Sequence, residues 1–338
     1  MNETDRIGSA LVTGAAGFIG SALVRRLLDE GHQVVGLDTQ KGLFFDELTR
    51  RGAQITLGSV TDRATVERLM KGVDVVHHVA AAFRQLDVGR DVYDDVNIDG
   101  TRNVLETMRD LGIPKGVYTS TIGVFSNTHG QVPDETYRYD GPFLNEYERT
   151  KWIAHYEIAE SLIAQGLPLV IVMPGVVYGP GDTSAVGEQI AEYLRGRLYV
   201  APRETAYCWA HIDDVARGHL LAMERGTPGA SYILAGQCAS FLDVLKIGAG
   251  LTGIREPRLK LSPGMLKALA SVVGVAERYV PLPELYSAEG LRTLAGVTYL
   301  GSNAKAQREL GYTVRPLVDG LRETVRHEIE RLGLPLTV

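Results

Sequence analysis

Cysteine is almost absent from the 338-residue sequence, which contains only Cys208 and Cys238. The spacing between them is not that of a zinc-ligand pair, and two cysteines cannot build a scaffold of several disulfides. We therefore expect neither a disulfide framework nor a zinc site, and we predict no bound metal.

Long apolar runs and an excess of basic residues are also lacking. No uninterrupted apolar stretch reaches the roughly 18 residues of a membrane-spanning helix. The net charge is −6, whereas nucleic-acid binding needs a basic surface. Residues 1–8 are polar and carry no signal-peptide pattern. These features predict a cytoplasmic protein with no membrane or nucleic-acid partner.

Glycine is plentiful, and three glycines follow the first predicted strand at Gly-x-x-Gly-x-x-Gly spacing: Gly14, Gly17 and Gly20. In such a unit one glycine permits a sharp turn, one lets backbone N–H groups approach a pyrophosphate, and one lets the helix lie close to the sheet. The next strand, 33–37, ends at Asp38, where a dinucleotide site needs a carboxylate for the ribose hydroxyls. The pattern predicts a dinucleotide site, with a purely structural tight turn as the alternative.

Strand and helix patterns alternate throughout the first half of the chain. The predicted strands are 10–12, 33–37, 53–57, 73–82, 116–121 and 169–173, and the main helices between them begin near 18, 45, 62, 96 and 144. This order predicts an α/β fold, a doubly wound parallel Rossmann sheet with ligands at the strands' carboxyl ends. We expect a dinucleotide-binding domain over 1–175 and a smaller, mainly substrate-binding lobe over 176–338, with the chain free to cross back between them.

Two local interpretations accompany this pattern. Thr61 or Asp62 is expected to cap the helix that runs to Met70. His77 and His78 fall within an apolar run, so we expect packed strand residues rather than metal ligands.

The chemistry of the sequence is concentrated in Tyr147 and Lys151, which are four residues apart and hence on one helical face. A tyrosine with a pKa of about 10 is a poor acid or base at neutral pH, but a neighbouring ammonium lowers that pKa. The pair can then move a proton at a carbonyl oxygen while a nicotinamide moves a hydride. A strand end carrying Ser120 and Thr121 supplies a hydroxyl to position that oxygen.

These motifs together resemble the extended short-chain dehydrogenase/reductase superfamily, in its NAD-dependent epimerase/dehydratase group, over nearly the whole chain. The matching segments are Thr13-Gly14-Ala-Ala-Gly17-Phe-Ile-Gly20, Val76-His-His-Val-Ala-Ala81, Asn97-Ile-Asp-Gly-Thr-Arg-Asn103, Tyr118-Thr-Ser-Thr121, Tyr147 with Lys151, Pro174-Gly-Val-Val-Tyr-Gly-Pro-Gly181, His211-Ile-Asp-Asp-Val-Ala216 and Ala306-Gln-Arg-Glu-Leu-Gly-Tyr312.

The resemblance implies a role for each matching residue, with NAD as cofactor. Tyr147 would be the acid/base, and Lys151 would lower its pKa and hold the ribose. Thr121 aligns with the catalytic hydroxyl, with Ser120 as the alternative, and Asn97 with a residue that supports the active-site backbone or a proton relay. The implied cofactor contacts are Gly14, Ala16, Gly17, Phe18, Ile19, Gly20, Asp38, Ser59, Val60, Ala80, Ala81, Asn97, Tyr147, Lys151, Pro174, Val176 and Val177. The 211–214 stretch is expected to cap the following helix.

Departures from the family pattern bear on the substrate. Ser59 stands where the family usually has an Asp near the adenine, so that hydrogen bond is weaker or comes from the next residue's backbone. Members that bind nucleotide sugars often have an Asn in place of Val176 and an Arg in place of Tyr207 or Cys208. The 174–181 segment instead resembles the steroid-dehydrogenase and dihydroflavonol-reductase branch.

The leading interpretation is an NAD(H)-dependent oxidoreductase that interconverts a secondary alcohol and a ketone on a non-nucleotide small molecule. A nucleotide-sugar epimerase or dehydratase with tightly bound NAD is the alternative, since Arg195, Arg197 and Arg203 could replace the missing phosphate contacts. A dinucleotide-sensing regulator is a third reading. The family also commonly pairs through helices corresponding to 96–111 and 144–165, which implies a homodimer.

Overall fold

Parallel strands buried on both faces form the centre of the structure, a computed structural model that describes residues 8–83, 89–277 and 286–335. The strands are β1 Ser9–Thr13, β2 Gln33–Asp38, β3 Gln54–Leu57, β4 Val75–His78, β5 Lys115–Thr119, β6 Leu169–Pro174, β7 Val176–Tyr178, β8 Val200–Pro202, β9 Ala206–His211, β10 Ser231–Leu234, β11 Gln237–Ser240, β12 Leu259–Leu261 and β13 Thr298–Tyr299. Seven of them form one sheet in the order β10-β6-β5-β4-β1-β2-β3, with every pairing parallel. The doubly wound Rossmann prediction is therefore confirmed.

Helices cover both faces of this sheet. They are α1 Phe18–Asp29, α2 Phe45–Arg50, α3 Arg63–Met70, α4 Arg90–Tyr93, α5 Gly100–Asp110, α6 Glu146–Ile153, α7 Glu160–Ala164, α8 Ala185–Leu194, α9 Ile212–Arg225, α10 Phe241–Thr252, α11 Pro263–Ala276, α12 Ala288–Thr293, α13 Ala304–Leu310 and α14 Leu317–Leu332. No helix in the described ranges is both long and apolar enough to cross a bilayer.

Alternate residues of β1 contribute to two separate cores. Ala10 and Val12 belong to the apolar cluster that includes Leu23 of α1, on one face of the sheet. Leu11 belongs to the opposite cluster, which includes Val104 of α5. Burial on both faces explains why the strand reads as an uninterrupted apolar run.

Around β4, the helix cap and the two histidines are as predicted, but the strand is shorter. The Asp62 side chain caps α3 by accepting from the backbone N–H groups of Ala64 and Thr65. His77 and His78 are fully buried in β4, as expected. The predicted strand over 73–82 is shorter, spanning only Val75–His78, and beyond it the backbone nitrogens of Ala80 and Ala82 donate to side-chain oxygens instead of a neighbouring strand.

The two long helices predicted over 96–111 and 144–165 each contain a π-helical turn. Asp94–Asp99 joins α4 to α5, and Ala154–Ala159 joins α6 to α7. The first helix begins at Arg90, earlier than predicted. Such turns often occur near functional sites, and these two lie against each other.

The chain beyond residue 175 builds smaller sheets and also returns to the large one. Strand β9 pairs with β7, β11 and β13, and β8 pairs with β12. Strand β10 pairs with β6 and so completes the seven-stranded sheet. The division of the chain at residue 175 stays a prediction.

The two cysteines form a single disulfide, which is not a framework of several disulfides but was not predicted from the sequence. Antiparallel pairing of β9 with β11 places Cys208 directly opposite Cys238, and a disulfide joins them. Sequence spacing gave no sign of this, because strand register rather than distance along the chain brings the residues together.

Candidate active site

The three glycines of the β1–α1 turn serve different purposes. Gly14 has a φ of +68°, and a Cβ there would lie 2.8 Å from the Ala80 backbone nitrogen. A Cβ on Gly20 would collide with the Gly14 carbonyl oxygen, whereas one on Gly17 would lie 3.3 Å from that atom. Turn geometry and close packing therefore require Gly14 and Gly20, while Gly17 borders an open cleft.

Asp38 fixes this turn to the end of β2. Its Oδ2 accepts a hydrogen bond of 2.9 Å from the Ala16 backbone nitrogen. Ala16 is buried and lies behind the cleft surface, whereas Asp38 lines it. One carboxylate thus both shapes the glycine turn and is available to a ligand.

The cleft has a volume of about 1090 Å³ and runs across the carboxyl ends of the sheet strands. Its wall includes most of the residues selected from the sequence: Gly14, Gly17, Phe18, Ile19, Gly20, Asp38, Ser59, Val60, Ala80, Ala81, Ser120, Thr121, Tyr147, Lys151, Pro174, Val176 and Val177. Both its size and its glycine-lined end fit a dinucleotide.

Asn97 lies behind the cleft rather than on its wall. Its Oδ1 accepts from the Ala82 backbone nitrogen at 2.7 Å, and its Nδ2 donates to the Ala82 carbonyl oxygen. The same Nδ2 donates to Thr150 Oγ1 at 2.9 Å. Asn97 therefore ties the strand exit after β4 to α6, which agrees with the backbone-supporting option for this residue.

Ser59 makes a local turn. Its Oγ accepts from the Thr61 backbone nitrogen at 3.1 Å and bonds the Thr61 hydroxyl at 2.8 Å. Val60 is buried beside it and packs against the Gly100 backbone.

Helix α6 presents Tyr147 and Lys151 from a capped N-terminus. Asn145 caps the helix by accepting from the Glu148 backbone nitrogen at 2.9 Å. The Glu148 side chain in turn accepts from the Leu144 backbone nitrogen at 3.1 Å and from Asn145 Nδ2 at 3.2 Å. This reciprocal arrangement fixes the first turn of the helix, from which Tyr147 projects into the cleft.

The structure distinguishes the two candidate hydroxyls. Thr121 lies beside Tyr147, since both side chains border Gly123, and Thr121 Oγ1 accepts from the Gly123 backbone nitrogen at 3.0 Å. Ser120 Oγ is instead 2.8 Å from His155 Nδ1 in a buried pair. Thr121 is therefore the hydroxyl that lies with the tyrosine.

Lys151 is almost entirely buried, at 1% relative exposure. Its Nζ donates to the Thr119 carbonyl oxygen at 2.8 Å and lies 4.5 Å from the ring centre of Tyr118. Burial lowers the pKa of Lys151 to about 7.

The expected lowering of the Tyr147 pKa is wrong for this structure. Burial raises the pKa of Tyr147 to about 12, and the neighbouring Thr121 hydroxyl offsets only part of that effect. Lys151 is itself desolvated and directed to the strand carbonyl, so it does not compensate for the burial. Tyr147 is consequently a neutral phenol, suited to donating a proton.

Two residues next to Tyr147 were not selected from the sequence. Phe83 is 48% exposed and packs edge-on against the Tyr147 ring, with 4.8 Å between centroids. Glu148 is only 1% exposed and also accepts from the Tyr299 hydroxyl. The sequence around Glu148 does not indicate its role, because the tyrosine that bonds it is distant along the chain.

The far end of the cleft is largely apolar. Val176 and Val186 line it together with Tyr207, whereas Cys208 is buried in its disulfide. Among the described residues, the cations on the wall are Arg90, Arg149 and Lys151. Both arginines are paired, since each contacts Glu146 and Asp94.

The 211–214 stretch caps the following helix, as expected. His211 caps α9 by accepting from the Asp213 backbone nitrogen at 3.3 Å. The group formed by His211, Asp213 and Glu323 resembles a metal-ligand set, but Arg315 bonds both carboxylates and already supplies the positive charge.

Comparisons with known proteins agree with this geometry. Residues 10–235 match the model of the NAD dependent epimerase/dehydratase family. Sterol demethylase protein B of Methylococcus capsulatus is 29% identical over 90% of this chain and 93% of its own length. A putative dihydroflavonol 4-reductase of Synechocystis sp. is 33% identical over 73% of both chains. The crystal structure of gox2253 has a TM-score of 0.82 and 29% identity, covering 97% of this chain and 99% of that one.

Proposed function

Because the chain belongs to the NAD-dependent epimerase/dehydratase family and is an NAD-dependent enzyme, we propose that it interconverts a secondary alcohol and a ketone on a non-nucleotide small molecule. The observation that carries the proposal is that Tyr147 and Thr121 lie side by side on the wall of a cleft whose far end is lined by apolar residues.

The proposal assigns the glycine-lined end of the cleft to the cofactor. The turn at Gly17 would face the pyrophosphate and Asp38 the ribose hydroxyls. When bound, the nicotinamide supplies or accepts a hydride. Pro174 and Val177 would border it on the side of β6 and β7.

The proton steps fall to Tyr147 and Thr121. In the reductive direction, the neutral phenol of Tyr147 donates its proton to the oxygen that develops negative charge. Thr121 lies beside that phenol on the cleft wall and would hold the substrate oxygen. Lys151, buried against Thr119, would orient the ribose and carry part of the positive charge at the site.

Residues beyond 175 contribute to the end of the cleft that the proposal assigns to the substrate, which supports the proposed functional division. Val176, Val186, Tyr207 and Tyr299 line this end, whereas the glycine turn and Asp38 line the other. The names of two relatives refer to a sterol and a dihydroflavonol, both ring-bearing molecules without a nucleotide.

A nucleotide sugar fits this wall poorly. Its diphosphate carries about two negative charges, which need cations or several donors when buried. Arg195 bonds Glu192, and Arg203 donates to the Lys260 carbonyl oxygen. Neither arginine, nor Arg197, lines the cleft in the described part of the chain.

The test compares ligands in the presence of NAD. Thermal stabilisation and NADH formation are measured with cyclic ketones and alcohols and with UDP- and dTDP-sugars. The proposal expects stabilisation and net redox turnover with the ring-bearing compounds, and loss of that turnover in Tyr147→Phe. Tyr199→Phe, which alters an exposed tyrosine, is the control. Stabilisation by UDP alone, with no net NADH signal, would support the epimerase instead.

A further inference from the structure

Helix α8 carries a buried amide at the substrate end of the cleft. The Ser184 side chain caps this helix, and Ala185, Val186 and Gln189 line the cleft wall. Gln189 is only 7% exposed, yet among the described residues its amide has no hydrogen-bond partner. Burying an amide without a partner is costly, so such a group calls for an explanation.

The protein residues around Gln189 provide no hydrogen-bond partner for its amide. Behind α8 lies a second cavity of about 30 Å³, which Gln189 also borders. The other residues around that cavity are almost all apolar or aromatic and include Tyr193, Trp209, Phe241, Leu245 and Leu321. The amide atoms are not among the fully sealed polar atoms of the described chain, and Gln189 lines the cleft. Its hydrogen-bonding capacity is therefore left for a molecule in that cleft.

We propose that Gln189 is a specificity-determining residue that hydrogen-bonds a second oxygen of the substrate, remote from the carbon that exchanges hydride. This rests on the oxidoreductase function proposed above and narrows its substrate class. The substrate is an apolar, ring-bearing ketone or alcohol with a further hydroxyl or carbonyl group.

The neutrality of the site selects that chemical class. An amide can both donate and accept, which suits a hydroxyl or a carbonyl oxygen. A carboxylate or phosphate at this end would need a cation, and the arginines on the described wall, Arg90 and Arg149, are already paired with Glu146 and Asp94. The apolar wall formed by Val176 and Val186 holds the body of the substrate, and Gln189 fixes its orientation.

The test uses matched bicyclic ketones, one with and one without a second hydroxyl group at the far ring. The ratio of their kcat/KM values is measured for the wild type and for Gln189→Met, which keeps the length of the side chain and removes the amide. The wild type is expected to prefer the hydroxyketone by about tenfold to a hundredfold, because the analogue lacking the hydroxyl leaves the amide unpaired. In Gln189→Met that ratio should fall to about one.

Two further variants keep the test decisive. Gln131→Met replaces an exposed glutamine outside the cleft and should leave the ratio unchanged. Gln189→Asn retains an amide on a shorter side chain and serves if Gln189→Met does not fold. A ratio that is the same in the wild type and the Gln189 variants, or no preference in the wild type, would overturn the inference.

Thermal stabilisation in the presence of NAD separates this inference from the proposed function. If neither ketone turns over but the hydroxyketone stabilises the wild type more than Gln189→Met, the redox proposal is wrong and the Gln189 contact stands. If both ketones turn over and no variant changes the ratio, the Gln189 contact is wrong and the redox proposal stands.

Discussion

The hydroxyl of Tyr299 donates a hydrogen bond to Oε1 of Glu148, across 151 residues of sequence. Tyr299 ends β13, which pairs with β9, whereas Glu148 directly follows Tyr147 in α6. The first turn of the helix that carries the proposed acid is thus held from the far part of the chain.

Glu148→Gln should destabilise the fold in a pH-dependent way. Burial raises the pKa of Glu148 above its ordinary value. A carboxyl group with a raised pKa in the fold stabilises it most below the ordinary pKa, and this contribution is lost as the pH rises through the raised value.

Below about pH 4, Glu148→Gln should be less stable than the wild type by about 1–3 kcal/mol, because its amide mismatches the donors around it. The difference in unfolding free energy should narrow as the pH increases, as measured by urea denaturation. Glu188→Gln, at an exposed site, is the control. A difference in unfolding free energy that increases with pH would contradict a raised pKa for Glu148.

Thr121→Val should affect catalysis, whereas Ser120→Ala should affect stability. Removing the Thr121 hydroxyl should lower kcat about a hundredfold, as does loss of a single donor to a developing oxyanion. Thr121→Ser keeps the hydroxyl and should recover most of that rate. Ser120→Ala should instead lower the melting temperature, because it leaves His155 buried without its partner. A larger kcat loss in Ser120→Ala would reverse the assignment of the hydroxyl.

Asp38→Asn should relax the preference for NAD over NADP. The carboxylate can accept from ribose hydroxyls but repels a 2′-phosphate, and two charges at close range near a surface favour NAD by at least about tenfold. Asparagine keeps an oxygen to accept from Ala16, so the glycine turn should persist. The measurement is the ratio of kcat/KM for the two cofactors, and a wild type that uses both equally would refute the role.

The features that could be predicted from the sequence lie within contiguous motifs. The glycine turn and Asp38 belong to one strand–turn–helix–strand unit, so their spacing alone determines the geometry. The bond between Glu148 and Tyr299 and the pairing of Cys208 with Cys238 depend on how separate strands align. The Tyr147 pKa was predicted in the wrong direction because burial depends on everything packed around the ring, not on the lysine four residues away.

The protein should be a homodimer, which remains a prediction from the family pattern. The segments that would form the interface are the α4–α5 and α6–α7 helices with their π-helical turns. Light scattering at micromolar concentration should give twice the chain mass of 36.8 kDa. A monomeric mass would show that both helices serve only the core of a single chain.

Lys151→Met should lose activity and cofactor affinity while gaining stability. The folded pKa of Lys151 is lowered by burial to about 7 from an ordinary 10.5. Between these values the unfolded chain binds more protons at this site, so the wild type loses stability as the pH falls toward 7.

Methionine removes that proton-linked cost and fills similar space, so the variant's advantage in melting temperature should increase by a few degrees as the pH is lowered from about 10 to about 7. Calorimetry over this pH range measures it, with the exposed Lys267→Met as control. The variant could instead be less stable than the wild type by the same amount at neutral and at high pH. That result would show that the pKa of Lys151 is not lowered and that Lys151 is held as a fully charged ammonium. Its bond to the Thr119 carbonyl oxygen would then outweigh the burial that lowers its pKa.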